Sequence, residues 1–201
     1  MMKKIINCFP RIVTLGMIMM NENNAKINKK IVLLGLDNAG KTSILKTVKN
    51  QMSPESTKNL KPTKGLNIEE MEINNEKIVV WDLGGQISFR QEYIKRQDYY
   101  FSYVDSIIYV IDIQDPDRYE ESFKYLLEII SVIKLQKLVP KFLVFLHKSD
   151  PDYQKSKTYE ELYQDLSEKI KKIFHPLRFS AEIFKTSIYS EVELNQILKR
   201  I

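Results

Sequence analysis

The chain has 201 residues, of which 43% are apolar and 28% are charged, a balance that excludes a mostly disordered protein and predicts one folded domain. Its formal net charge is +5, but the lysines are scattered as on a solvated surface, so we expect no nucleic acid partner. The single cysteine excludes an intramolecular disulfide and favours a reducing compartment such as the cytoplasm. The sequence contains no run of about 20 apolar residues, so it predicts no membrane-spanning helix.

The first 28 residues form an N-terminal extension before a predicted domain over residues 29–201. A basic, apolar start up to Met20 is compatible with an amphipathic segment on an acidic membrane surface, and the polar run after it is typical of a linker. Pro10 would interrupt such a helix, and Met2 in place of glycine excludes ordinary N-myristoylation. Translation from Met17, Met19 or Met20 is a further alternative, so peripheral membrane contact is one of several interpretations.

Beyond the linker, short β-branched runs alternate with helical patterns. The runs Ile31–Gly35, Lys77–Trp81, Ser106–Asp112 and Lys141–Leu146 are nearly continuous and apolar, as expected of buried parallel strands. Leu66–Ile73, followed by two asparagines, predicts an antiparallel hairpin with the second of these runs. The sequence therefore predicts an α/β fold whose mostly parallel sheet carries one antiparallel edge hairpin and has helices on both faces.

Two of the helices are predicted from apolar residues at helical spacing. The first begins near Tyr119, and one apolar face is formed by Phe123, Leu126, Leu127, Ile130 and Ile133. The second is predicted to begin with a capping box between Thr158 and Glu161 and to end before Pro176. Both faces are typical of helices that pack on a core.

The segment after the first strand, Gly35–Thr42, fits the phosphate-loop pattern G-x-x-x-x-G-K-[ST]. In such a loop the main-chain N–H groups point inward, the lysine reaches the β- and γ-phosphates, and the hydroxyl binds magnesium. The predicted nucleotide contacts here are Gly35, Asp37, Asn38, Ala39, Gly40, Lys41, Thr42 and Ser43. A strand before and a helix after the loop complete the pattern of a P-loop NTPase.

A second motif, Trp81–Gln86, follows the third strand and predicts a sensor of the γ-phosphate. Asp82 is placed to hold magnesium, Gly85 lets the main chain approach the phosphate, and Gln86 can orient an attacking water. Thr63 can give magnesium a second hydroxyl while the γ-phosphate is bound, which makes its loop a switch segment. The predicted metal ligands are thus Thr42, Thr63 and Asp82.

A third motif, His147-Lys148-Ser149-Asp150, ends the fifth strand and predicts a guanine site. The Asp150 carboxylate can accept two hydrogen bonds from N1–H and the exocyclic amine of guanine, which adenine cannot supply. Lys148 can lie along the base, and the main chain of Ser187 and Ile188 can complete the pocket.

Together these motifs resemble the Ras-like small GTPase superfamily from about Lys29 onward. The phosphate loop, the Pro62-Thr63 pair and Trp81–Gln86 are most similar to Arf and Arf-like proteins. His147 in place of the usual asparagine, the stretch Phe184–Ile188 and the long segment after Gln86 are similar to Rag/Gtr GTPases. The resemblance implies a G domain that binds GTP or GDP with Mg²⁺, an exchange factor, a GTPase-activating protein, and effectors that contact the switch regions.

The predicted reaction is slow, magnesium-dependent GTP hydrolysis, with Gln86, Lys41 and Thr63 as the catalytic residues. No arginine lies between Thr42 and Thr63, so a partner is expected to supply one. The alternative is an interaction module that holds nucleotide without hydrolysing it. An ATP-dependent kinase is disfavoured because Lys148 and Asp150, the predicted guanine-binding residues, would have no function in it.

Overall fold

A computed structural model describes residues 29–49, 51–57, 60–177 and 179–201 of the chain. The proposed membrane-binding extension over residues 1–28 lies outside the described residues, so the predicted domain boundary stays a prediction. The six strands are β1 (Lys29–Gly35), β2 (Leu66–Ile73), β3 (Glu76–Leu83), β4 (Ser106–Asp112), β5 (Lys141–His147) and β6 (Ala181–Thr186).

All six strands lie in one sheet with the order β2-β3-β1-β4-β5-β6. Every neighbouring pair is parallel except β2 and β3, which form an antiparallel hairpin at the edge. Asn74 and Asn75 join that hairpin with φ angles of 53° and 63°, the left-handed conformation that a two-residue hairpin turn requires. The predicted topology is confirmed, with strands β1, β3 and β5 slightly longer than expected.

Five helices of eight or more residues are described. They are α1 (Lys41–Val48), α2 (Ile87–Lys95), α3 (Tyr119–Leu135), α4 (Tyr159–Phe174) and α5 (Glu191–Leu198); single helical turns lie at Pro54–Thr57, Gln97–Tyr100, Pro116–Arg118 and Tyr153–Lys155. None of the described helices is long and apolar enough to cross a bilayer.

The helices cover both faces of the sheet, as predicted. On one face Tyr93 of α2, Ile129 of α3 and Leu166 of α4 pack in the larger core. On the other face Ile44 of α1 and Leu194 of α5 pack in a smaller core. Because both faces are covered, the inner strands read as continuous apolar runs, and the polar residues of the site collect at the strand ends.

Two local predictions are wrong. Thr158 does precede α4, but its side chain makes no capping hydrogen bond, so there is no capping box with Glu161. Leu127 is 48% exposed, and the buried face of α3 instead includes Tyr125 and Ile129. Leu127 lies at the margin of the apolar face of α3, where helical spacing alone does not tell whether a residue is buried. Packing against the sheet decides which margin of that face is covered.

Candidate functional site

The three predicted motifs meet at the carboxyl ends of β1, β3 and β5, on one edge of the sheet. This is the edge at which parallel α/β sheets bind ligands, since the loops after the strands converge there. The loop after β6, with Ser187, reaches the same edge because β6 pairs with β5 up to His147 and Thr186.

The phosphate loop turns tightly between β1 and α1. Gly40, with φ 93°, directly precedes α1, and Asn38, with φ 61°, is also left-handed. Gly35 has φ 140°, and a side chain there would overlap the carbonyl of Val110 on β4. Glycine is therefore required at both ends of the loop, by conformation and by space.

Lys41 is buried at the first position of α1 and lies over its own loop. Its Nζ donates to the carbonyl oxygens of Gly35 and Leu36, at 3.0 Å and 2.7 Å. Burial lowers the pKa of Lys41 to about 8, although the nearby Asp82 carboxylate opposes that shift. The side chain is thus a partly desolvated cation pointing along the loop that would cradle phosphates.

The three predicted metal ligands come together. Thr42 Oγ1 donates to Asp82 Oδ2 at 2.6 Å, and Thr63 Oγ1 lies 2.7 Å from Thr42 Oγ1 and 3.2 Å from Asp82 Oδ2. Asp82 is fully buried, and burial raises its pKa, partly offset by the Thr42 hydrogen bond. Its Oδ1 has no hydrogen-bond partner within the described residues.

This arrangement fits a magnesium ion. The orphaned Oδ1 of Asp82 would be satisfied by a cation, and the hydroxyls of Thr42 and Thr63 are oxygen donors of the kind that Mg²⁺ prefers. In the described part of the chain no group of three or more His, Cys, Asp or Glu side chains could hold a metal. One carboxylate with hydroxyls suits Mg²⁺, which usually takes its remaining ligands from water and substrate phosphates.

Gly85 packs the sensor loop onto the phosphate loop, and Gly84 packs it against the main chain of Thr63 and Gly65. A side chain at Gly85 would overlap the main chain of Leu36 and Asp37. Gln86 directly precedes α2, is half-buried, and makes no side-chain hydrogen bond within the described residues. Gln86 thus follows the glycine that lies against the phosphate loop, and its amide has no hydrogen-bond partner in the described part of the chain.

The predicted base residues also converge. Asp150 Oδ1 accepts a hydrogen bond of 2.5 Å from the hydroxyl of buried Ser187. Lys148 adopts φ 60°, and its ammonium lies 2.6 Å from the Asp112 carboxylate at the end of β4. Ile188 follows Ser187 and is half-buried.

His147 connects the base motif to the phosphate loop. The ring is buried, and its Nδ1 lies 3.0 Å from Thr186 Oγ1. A side chain at Gly40 would place its first carbon 2.5 Å from Cδ2 of this ring. Burial, and then the charge of Lys148, lower the pKa of His147 to about 3, so the ring is neutral near pH 7.

Sequence reasoning missed two sets of residues at this edge. Arg118 Nη2 lies 2.6 Å from Asp37 Oδ1 of the phosphate loop, and Arg118 Nε lies 3.4 Å from Glu121, which also pairs with Arg90 of α2. Gln114 Nε2 donates to the Lys148 carbonyl at 2.6 Å. The pairs of Arg118 with Asp37, Arg90 with Glu121 and Gln114 with Lys148 join residues 81, 31 and 34 positions apart, so no sequence pattern indicated them. The Arg118–Glu121 pair is local, but such pairs are common on protein surfaces.

Comparison with known proteins identifies a family and several relatives. The family model described as the ADP-ribosylation factor family matches residues 15–201. ADP-ribosylation factor-like protein 3 of Caenorhabditis elegans is 41% identical over 60% of this chain and 61% of its own length. The human ADP-ribosylation factor-like protein 5A is 35% identical over 60% of this chain and 62% of its own length. The chain thus spans about three fifths of these relatives.

Two solved structures share the fold. The Arl6 small GTPase of Trypanosoma brucei, solved with a bound nucleotide analogue, superposes with a TM-score of 0.58 at 25% identity and covers 86% of this chain and 97% of its own. A bacterial selenocysteine-specific elongation factor has a TM-score of 0.60 at 17% identity, over 85% of this chain and 27% of its own. The second likeness shows the fold alone. From its family model, which spans most of the chain and both phosphate-side motifs, this protein belongs to the ADP-ribosylation factor family of Ras-like small GTPases.

Proposed function

We propose that this protein is a switch that binds GTP or GDP with Mg²⁺ and hydrolyses GTP slowly. The observation that carries the proposal is the meeting of Lys41, Thr42, Thr63 and Asp82 at one edge of the sheet, with Asp150 on the same edge. Family membership and the nucleotide analogue in the Arl6 structure support it.

The phosphates would be held by the loop between Gly35 and Lys41. Main-chain N–H groups and the start of α1 supply partial positive charge, and Lys41 adds a full one. Phosphate oxygens form stronger, charge-assisted bonds to Nζ than the two loop carbonyls do, so nucleotide binding would draw the lysine from those carbonyls.

Thr42, Thr63 and Asp82 would hold the magnesium ion, which neutralises negative charge on the phosphates when it is bound. Gln86, whose side chain makes no hydrogen bond to any described residue, would orient the water that attacks the γ-phosphate. Arg118 is already engaged by Asp37 and Glu121, so it is not free to neutralise the developing charge. Unassisted hydrolysis is therefore slow, and a partner's arginine would raise the rate by about 10³–10⁵.

The loops with Thr63 and Gln86 would act as the switch segments that effectors read. An exchange factor and a GTPase-activating protein would set the balance between the two states. The protein is proposed to act in the cytoplasm, with peripheral membrane contact through residues 1–28 and a role in membrane trafficking or membrane-associated signalling. The family model favours an Arf-like role over a Rag-like one; the Rag-like features, His147 among them, stay a prediction.

The reaction is tested by single-turnover phosphate release from bound GTP with Mg²⁺. We expect slow release by the wild-type chain and a fall of at least tenfold in Gln86→Leu, because the water loses its orienting amide. Gln91→Leu is the matched control, since Gln91 is an exposed glutamine on α2 that makes no hydrogen bond within the described residues.

The alternative, a module that holds nucleotide without hydrolysing it, makes the opposite prediction. It requires tight binding of GTP with no phosphate release from the wild-type chain over many hours. Equal rates in wild type and Gln86→Leu would show hydrolysis by another route and would remove Gln86 from the mechanism.

A further inference from the structure

Gln114 lies at the rim of the proposed base site, in the loop after β4, and is exposed in the described structure. Its main-chain N–H donates to Asp112 Oδ1 at 2.9 Å, and the other oxygen of Asp112 pairs with Lys148 Nζ. One carboxylate at the end of β4 therefore holds both the loop that carries Gln114 and the lysine expected to lie along the base.

The side chain of Gln114 turns toward the base motif. Its Nε2 donates to the carbonyl of Lys148 at 2.6 Å and makes a long contact of 3.4 Å with Asp150 Oδ2. Lys148 has left-handed φ, a conformation that non-glycine residues adopt rarely, so a donor on its carbonyl helps to retain it. The amide thus touches both the main chain and the carboxylate of the motif.

The two oxygens of Asp150 consequently have separate donors. Oδ1 is held by Ser187 from the loop after β6, and Oδ2 is approached by Gln114 from the loop after β4. Each carboxylate oxygen has two lone pairs in the plane of the group, so one pair on each oxygen stays available. These two sites can face the N1–H and the exocyclic amine of guanine together.

We infer that Gln114 is a specificity-determining residue, which orients the Asp150 carboxylate so that guanine receives two hydrogen bonds at once. The inference rests on the proposed function, because it concerns how the same site chooses its base. Without Gln114 the Ser187 hydrogen bond still holds Oδ1, but Oδ2 loses its donor and can swing about that bond. A base that needs both oxygens then loses more affinity than a base that needs one.

Hypoxanthine provides the base for the test, because it keeps N1–H but lacks the exocyclic amine of guanine. The dissociation constants of GDP and inosine diphosphate are measured with Mg²⁺ for wild type and Gln114→Ala. We expect GDP affinity to fall about three- to tenfold and inosine diphosphate affinity to change less than about twofold, as for loss of one net hydrogen bond. The preference for GDP over inosine diphosphate should shrink accordingly.

Gln154→Ala is the matched control. Gln154 is an exposed glutamine whose Nε2 donates to the carbonyl of Ser149 at 2.7 Å, one residue along the same motif, with no side-chain contact to the Asp150 carboxylate in the described structure. We expect this variant to leave the ratio of the two affinities at the wild-type value.

A conservative variant distinguishes loss of the Gln114 hydrogen-bond donor from a change in side-chain shape. Gln114→Glu keeps the length of the side chain but turns the donor into a like charge beside Asp150, so GDP binding should weaken more than in Gln114→Ala. The unfolding midpoint of each nucleotide-free variant shows that the chain is folded.

An unchanged affinity ratio in Gln114→Ala would overturn the inference, as would an equal loss for both nucleotides, which would indicate a merely structural role for the loop. Wild-type GDP affinity in Gln114→Glu would overturn it too. Failure of the proposed function looks different, since the wild-type chain would then bind neither diphosphate.

Discussion

The proposed phosphate end and the proposed base end of the site are built in different ways. At the phosphate end, Lys41 and Thr42 belong to one continuous loop and meet Asp82, a fully buried carboxylate. At the base end, Asp150 is held by Ser187 and Gln114, which come from separate loops, and Gln114 is exposed. On the proposed function, phosphate binding would depend on local backbone conformation, whereas base choice would depend on side chains that only the folded sheet brings together.

The largest expected effect lies at the phosphate end. Lys41→Ala should weaken GDP and GTP binding by about 30-fold to several thousand-fold, since truncating one partner of a buried charge pair costs roughly 2–5 kcal/mol. The nucleotide-free chain should stay folded, because burial already disfavours the charge on Lys41. Fluorescent-nucleotide titration and thermal unfolding measure the two effects.

Lys46→Ala on the same helix is the control, because the Lys46 ammonium bonds to Gln51 and Glu69 and makes no hydrogen bond to the phosphate loop in the described structure. It should leave affinity within about twofold, as expected for a partly exposed ion pair. Similar losses in the two variants would mean that the phosphate end is no more than a basic surface.

At the base end, Asp150→Asn should weaken GDP binding by about 10²-fold, because two hydrogen bonds to a charged acceptor are lost. Xanthine diphosphate should bind this variant better than GDP does, since the asparagine amide can donate to the carbonyl that xanthine has in place of the amine. Competition titrations with the two diphosphates measure this change of base preference. A variant that still prefers GDP would place base choice elsewhere.

The same contrast explains what the sequence could predict. The phosphate loop and Trp81–Gln86 are short continuous motifs between strand and helix, so the sequence alone predicts that their residues share one edge of the sheet. Gln114 and Arg118 could not be found, since their partners lie 36 and 81 residues away. The exposure of Leu127 and the absent Thr158 cap also depend on tertiary packing, which periodicity does not encode.

His147 joins the two ends, and it makes the fold sensitive to acid. Its folded pKa of about 3 lies below its ordinary 6.5, so at intermediate pH only the unfolded chain takes up a proton. The contribution to stability is present above about pH 6.5 and is lost as the pH falls toward 3. From pH 6.5 to about pH 4.5 the free energy of unfolding should drop by about 2 kcal/mol on this account.

Denaturant unfolding at several pH values checks this with two variants. His147→Asn should remove that part of the pH dependence, whatever its absolute stability. His175→Asn, at the exposed second histidine of the chain, should keep the wild-type slope. Identical slopes for wild type and His147→Asn would show that the ring titrates normally in the folded state.

The smallest expected effect concerns Arg118, at the rim of the phosphate loop. Its guanidinium pairs with Asp37, Asp115 and Glu121, but the arginine is 29% exposed and the three acids are 31–42% exposed, so each pair is screened by water. Arg118→Ala should lower the free energy of unfolding by no more than about 1 kcal/mol, and high salt should shrink the difference. Denaturant titration at low and high salt measures it, with Lys155→Ala as a more exposed control pair. A loss of unfolding free energy well above about 1 kcal/mol that persists in high salt would mean that this charge network belongs to the buried phosphate end. The phosphate loop would then be held in place by side chains, as the base motif is.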